Sequence, residues 1–403
     1  MPSLETDFDV PADAITALLQ SLVRTPSRAG EDAMAPVLDV AARWFQAHAL
    51  PCERLMGDDG QPLGLYAEVQ GRSAGSWMVL NATLDTAGFG DPGTWERDPV
   101  SGDIEGGCLH GRGGADSKAG AALFAHLLAH CHARRDRWAG RLGLLLDVDE
   151  HTGGFGGARH FFGGPPARRP DGVLIGYPGC ERLMLGARGF LRARLDVAGE
   201  AAHAGSGSRR GANAVLRAAA LAQALAALDR DLASRADAPD APDAFPLPPC
   251  LTVTALHGGA GFTQVPDRCE LLLDLRLTPA VDAAAMRSAV ETVVQAQDAT
   301  WPGLPATAVH WQSGWPAYRL ADAHPLVAAL RAGAADALGR TLPGAVAGPS
   351  NIGNYLAGLG VPALCGFGVA GGGVHAANEW VALESIAPVF RAYAGALGRL
   401  LGV

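Results

Sequence analysis

Cysteine is sparse in this chain and poorly placed for cross-linking: seven residues, at positions 52, 108, 131, 180, 250, 269 and 365, contain no C-x-x-C pair. An odd, scattered set argues against a disulfide framework and suits a reducing compartment. Lysine is nearly absent, Lys118 being the only one, so arginine carries the positive charge. With so much Ala and Gly, that bias reads as codon usage in a GC-rich genome rather than as function. Positive charge is also in deficit: 41 acidic residues against 32 basic ones give a formal charge of −9. That balance leaves no broad attraction for nucleic acid or an anionic membrane. Long apolar runs are missing too, the best stretches (Ala121–Leu128 and Leu142–Leu146) being far too short to span a bilayer. Met1 to Ala14 carries acidic residues and no apolar h-region, so no signal peptide is expected. There is no internal repeat, no P-loop spacing and no G-x-S-x-G elbow, which sets a serine hydrolase aside. The expectation is a soluble, cytoplasmic protein.

The 403 residues are 48% hydrophobic and 18% charged, enough to bury a substantial core. At ~150 residues per domain, two or three folding units are expected. The first half alternates strand-like and helix-like runs. Trp77–Asn81, Leu142–Asp147 and Gly172–Gly176 read as buried strands, and Ser117–His132 and Gly157–Phe162 as helices. That alternation predicts an α/β sheet with chemistry at its strand ends.

Near Gly186 the texture changes. Phe190–Val197 alternates like a strand with one solvated face, and an Ala/Leu helix follows at Ala212–Leu228. A Pro/Asp-rich loop spans Asp229–Cys250. Strands at Leu251–His257 and Arg268–Leu275 and a helix at Ala280–Gln297 complete an α+β insert. The α/β pattern resumes from about Pro325 to a terminal helix at Leu383–Leu400.

Four predicted strand or turn ends carry groups that an ordinary loop does not need. Thr83 and Asp85 follow the first strand, and Asp116 and Lys118 follow a glycine-rich turn. Asp149, Glu150 and His151 follow the second strand. Near the C-terminus, Gly371–Val374 leads to His375, with Asn378 and Glu379 beyond. Any one such cluster could be turn chemistry alone. Together, carboxylates and imidazoles above one sheet make a metal site or an acid–base site. His126, His130 and His132 fall on the predicted helix after Asp116 and read as packing or surface residues.

The order of motifs resembles a zinc amidohydrolase family. The runs are "LNATLDTAGFGDPGTWERDPVSGDIEGGCLHGRGGADSKAG", "DVDEHTGG", "GARGF…AGEAAHAGSGSRRGANAV", "VPDRCELLLDLR" and "GGGVHAANEWV". That family contains carboxypeptidase G, aminoacylase, acetylornithine deacetylase and succinyl-diaminopimelate desuccinylase, and the resemblance spans nearly the whole chain. It implies a catalytic α/β domain (1–185 and 317–403) with a mixed, mostly parallel sheet flanked by helices. A smaller α+β lid and dimerisation domain (186–316) interrupts it.

The resemblance implies roles residue by residue. Asp116 matches an Asp that bridges two zinc ions, Glu150 a general base, His375 a C-terminal metal ligand and Asp85 an orienting Asp. Three ligand positions depart from the pattern: His151 replaces a carboxylate, Thr83 a His and Tyr177 an acidic residue. Asp116, His151 and His375 form a two-His, one-carboxylate set suited to one zinc ion. Thr83 and Tyr177 are poor zinc ligands, so the second site is expected to be unused. Charge alone leaves two states open: one divalent ion, or none with both histidines protonated.

On the insert, His203 matches a histidine that reaches into the partner subunit's site, which implies a homodimer formed through that domain. Arg276 also matches a family position. Gln264 stands where the family has Asn, and Trp315 where some members grip a substrate carboxylate with Arg; an apolar substrate portion would suit Trp315 better. Asn351, in "GPSNIGN", either faces the substrate or caps a helix. The expected activity is hydrolysis of an N-acyl amino acid or peptide-like amide, a small-molecule substrate, with one zinc ion and Glu150. The alternatives are metal-independent acid–base, acyl-transfer, condensation or isomerisation chemistry by Asp85, Glu150, His151, Tyr177 and His375, and a non-catalytic binding protein.

Overall fold

In the computed structural model, which describes residues 9–206, 211–234, 244–312 and 314–402, the apolar runs around Leu80 and Leu145 become neighbouring strands. They belong to a six-stranded sheet of β1 (Cys52–Met56), β2 (Pro62–Gln70), β3 (Trp77–Thr83), β4 (Arg141–Asp147), β5 (Gly172–Ile175) and β6 (Ala363–Cys365). The spatial order is β1-β2-β4-β3-β5-β6. Strands β4, β3, β5 and β6 are parallel, while β2 and β1 add to the edge antiparallel. Met78–Leu80 and Leu144–Leu146 are buried throughout, as strands covered on both faces must be.

Helix α1 (Ala12–Val23) buries Ile15, Leu18, Leu19 and Leu22 against this core, and α2 (Ala35–Ala47) buries Val37, Leu38, Ala41 and Phe45. Helix α3 (Ala119–His132) is buried on nearly every side, so its sequence is apolar all round rather than striped. Gly120 lets α3 touch the end of β5, since a Cβ there would lie 2.2 Å from the Gly176 carbonyl oxygen. His126 packs on Trp44, with ring centroids 4.7 Å apart, and His130 sits edge-on to Phe390. Helices α4 (Pro325–Leu338) and α5 (Ile386–Leu401) complete the layers. The helix expected at Gly157–Phe162 is instead one α-turn (Gly156–Ala158) running into a wider turn (Arg159–Gly163). Flanking glycines and Pro165-Pro166 leave no room for a longer helix.

The chain divides into two units. The sheet above lies in the first, Met1–Gly186, Leu320–Ala345 and Asn351–Val403; the second is Ala187–Arg319 and Val346–Ser350. The second unit contains a four-stranded antiparallel sheet, in the order Cys250–Gly258, Arg268–Leu277, Gly189–Ala198, Ala308–Trp311. Leu191, Ala193 and Leu195 point into its own core with Leu271, Leu273, Leu221 and Val290, while Arg192 and Arg194 face outward. Helices Ala214–Ala233 and Ala283–Asp298 supply the rest of that core.

No helix among the described residues is long and apolar enough to cross a membrane, and all seven cysteines are free thiols. Residues 235–243 of the Pro/Asp-rich loop and residues 1–8 of the N-terminal segment lie outside the described residues.

Candidate metal and acid–base site

The parallel strands of the first unit end together. Thr83 at the end of β3 is level with Asp147 at the end of β4, and Asn81 is level with Ile175 on β5. Thr83 closes β3 two residues after Asn81, and Tyr177 lies two residues beyond the end of β5. Asp85 follows Thr83, and Glu150 and His151 follow Asp147, all at the C-terminal edge where α/β sheets place their ligands.

Asp85 is fully buried and organises the centre. Its Oδ1 accepts from the Thr83 hydroxyl and from the Glu150 amide (3.2 Å). Its Oδ2 accepts from the His151 amide (3.0 Å) and lies 3.3 Å from His151 Nδ1. The Tyr177 hydroxyl donates to Glu150 Oε1 (2.6 Å), and Glu150 Oε2 is 3.5 Å from His151 Nδ1. Asp116 Oδ2 lies 3.1 Å from His375 Nε2 and 3.6 Å from His151 Nε2. Of the residues singled out in the sequence, Thr83, Asp85, Asp116, Glu150, His151, Tyr177 and His375 thus meet in space.

Charge is unevenly spread over this cluster. Burial pushes the Glu150 carboxyl up to about 7. Burial also opposes charge on His151, but Asp116, Asp85 and Glu150 outweigh it and lift the imidazole to about 11. Asp116 is buried as well, yet the neighbouring imidazoles of His151 and His375 hold its carboxyl well below the usual carboxylate range. The Tyr177 hydroxyl is raised well above its ordinary value by burial and by Glu150, so it stays a proton donor.

The donor set fits a cation. One ligand atom each from Asp116, His151 and His375 lies within 4.8 Å of the others. Asp116 Oδ1 and His151 Nε2 are buried with no hydrogen-bond partner. Once Nε2 gives up its proton, that nitrogen and Asp116 Oδ2, 3.6 Å away, are both acceptors, an arrangement that calls for a cation between them. Two imidazoles and a carboxylate are borderline-soft ligands of the zinc type. The hydroxyls of Thr83 and Tyr177 do not fit a second ion, because each already donates to a carboxylate.

Three residues important to this geometry, Glu379, Arg112 and Lys118, have no role assigned by the sequence pattern. Glu379, side chain 1% exposed, accepts from the amides of Gly113 (2.9 Å), Ala115 (2.9 Å) and Asp116 (3.1 Å) and from Arg112 Nη1 (2.9 Å). Arg112 Nη2 donates to the carbonyl of Ala376, so one buried ion pair ties the Asp116 loop to the His375 loop. The buried Lys118 donates to the carbonyls of Leu22 and Thr25 at the end of α1. Their signal in the sequence was weak but present: a lone lysine, and a carboxylate four residues after His375. Glu379→Gln neutralises one partner of the buried pair. It is expected to cost roughly 3–5 kcal/mol in the urea unfolding of the metal-free protein. A loss below about 1 kcal/mol would show that the two loops are held by other contacts.

Other singled-out residues lie elsewhere. Asn351, in the first unit, caps the short helix Ile352–Gly358 in a capping box with Asn354. In the second unit, the exposed His203 pairs with Gln264 in a two-stranded ribbon, and its Nδ1 accepts from the Gly205 amide (3.1 Å). Arg276 is held by Asp274 (2.7 Å), and Trp315 is half-buried with its backbone paired to Phe190.

A family model described as "Peptidase family M20/M25/M40" matches residues 79–399. The chain belongs to this peptidase family. By that membership it is a metal-dependent hydrolase. Among its relatives, the succinyl-diaminopimelate desuccinylase of Alkalilimnicola ehrlichii is 30% identical over 87% of this chain and 94% of its own length. The M20 family metallo-carboxypeptidase Sso-CP2 from Sulfolobus solfataricus has the same fold (TM-score 0.76, 16% identity), covering 96% of this chain and 99% of that one. So does the Bacillus subtilis YXEP protein, described as a dinuclear metal-binding M20 peptidase (TM-score 0.70, 14% identity), covering 97% of this chain and 98% of that one. These neighbours bear out the mixed α/β architecture expected from the motif order.

Proposed function

We propose that this M20 protein hydrolyses an amide, an N-acyl amino acid or a peptide-like bond, with a single divalent ion held by Asp116, His151 and His375 and with Glu150 as general base. The observation that carries the reading is the convergence of Asp116, His151 and His375, one ligand atom of each within 4.8 Å of the others, with Asp116 Oδ1 and His151 Nε2 both buried and without a hydrogen-bond partner. Zinc suits the donor set, and three protein ligands leave a coordination position open. When bound, such an ion supplies a Lewis acid that polarises the acyl carbonyl and acidifies a water.

The chain's own residues do the rest. Glu150 Oε1 is fixed by the Tyr177 hydroxyl, which orients the carboxylate to take the water's proton and pass it to the leaving amine. A carboxyl near 7 is well matched to a proton taken and returned at neutral pH. Trp315, in place of a cation for a free carboxylate, favours an apolar substrate portion. The second unit acts as lid and dimerisation domain in this reading, with His203 contributed across a homodimer to the developing oxyanion.

Purified protein is expected to contain about one zinc per chain by elemental analysis. Dialysis against a chelator should abolish hydrolysis of a panel of N-acyl amino acids, and added zinc should restore it. Activity that survives with no metal bound would sink the reading. That result would favour metal-independent chemistry instead, which the hydroxyls of Thr83 and Tyr177 support: in it, His151 in its charged form balances Asp85 and Asp116.

A further inference from the structure

The resemblance gives Asp85 the task of orienting a histidine ligand at position 83, but Thr83 stands there, and its hydroxyl donates to Asp85. The imidazole that Asp85 does meet is His151, two strands' ends away in sequence but adjacent in space. We propose that Asp85 has been reassigned as the positioning residue of His151, fixing its ring so that Nδ1–H points at Asp85 and Nε2 is the atom presented to the ion.

The argument is one of acceptor and donor counts. Asp85 is fully buried, and three donors already converge on it: the Thr83 hydroxyl and the amides of Glu150 and His151. A carboxylate so surrounded is an acceptor and has no proton to give. The ring nitrogen facing it at 3.3 Å must therefore carry the hydrogen. Glu150 Oε2 lies 3.5 Å from the same nitrogen. With Nδ1 keeping its proton, Nε2 is the nitrogen left to give up its own and offer a lone pair to an ion. That atom is 3.6 Å from Asp116 Oδ2 and has no hydrogen-bond partner.

Metal-bound histidines commonly donate their second nitrogen to a carboxylate, which raises ligand basicity and restrains the ring. A Glu in place of His151, as the family pattern has it, would offer no side-chain N–H for Asp85 to hold. The His at 151 and the Asp at 85 form a working unit only together. This proposal rests on the one-ion reading above, and the experiment separates the two.

The first measurement needs no variant. In the zinc-loaded protein labelled with ¹⁵N-histidine, long-range ¹H–¹⁵N correlation spectra should show His151 with Nδ1 protonated and Nε2 metal-bound. The resonance among the 12 histidines is assigned by its loss in His151→Glu. The second is a double-mutant comparison of zinc Kd by competition titration. Asp85→Asn should weaken zinc binding about 10–100-fold in the wild-type background. In the His151→Glu background the same change should have no further effect beyond about two-fold, because no imidazole remains to be held. An equal loss in both backgrounds would mean that Asp85 acts only on the backbone turn, overturning this proposal while leaving the one-ion reading intact. Zinc bound through Nδ1 would overturn it even if Asp85→Asn failed to fold. A wild-type protein that binds no zinc would overturn both.

Discussion

Replacing Glu150 by Gln is expected to lower kcat by about 10²–10⁴ while KM changes little and one zinc per chain is retained. The substitution is nearly isosteric, and an amide oxygen can still accept the Tyr177 hydroxyl that now reaches Glu150 Oε1 at 2.6 Å. The amide cannot take up a proton. Burial holds the native carboxyl at about 7, so near neutrality it exists in both forms and can cycle between them. A Gln side chain resembles only the protonated form and freezes that cycle. Because Glu150 is outside the Asp116, His151, His375 set, metal content separates the two ways in which activity could fall. Loss of turnover with full zinc identifies the base. Turnover within about ten-fold of wild type would assign the proton transfer to another group.

The legibility of this molecule in its sequence was uneven, for physical reasons. The core strands β3 and β4 announced themselves because strands covered on both faces must be apolar without interruption. The antiparallel strands β1 and β2 did not, since "CERLM" mixes charge with apolar residues and "PLGLYAEVQ" opens on Pro and contains Gly64. Helix α1 carries a legible pattern, Ile15, Leu18, Leu19 and Leu22 recurring with helical spacing. Seven of the polar residues at strand ends could be grouped from motif order alone, and the structure brings all seven together. Partner choice was not readable. That Asp85 meets His151, that Tyr177 holds Glu150, and that Glu379 spans two loops depend on side-chain directions which spacing along the chain does not encode.

The departures at 83 and 177 can be tested by reversing them. Thr83→His combined with Tyr177→Asp is expected to raise bound zinc from about one to about two per chain, with each single change remaining near one. Position 83 closes β3, and position 177 lies two residues beyond the end of β5, whose Ile175 is the register partner of Asn81. An imidazole at 83 can give Asp85 the N–H that replaces the present hydroxyl donor. The new carboxylate at 177 removes the phenol that now donates to Glu150. Asp116 is already prepared to be shared: Oδ2 faces both imidazoles, and Oδ1 is buried without a partner on the protein. One side chain could then serve two ions through its two oxygens, as a dinuclear centre requires. A folded double variant that still binds a single ion would show that more than two ligands separate this site from a paired one. Two ions in the unmodified protein would show instead that hydroxyl oxygens suffice, and the one-ion reading would have to be given up.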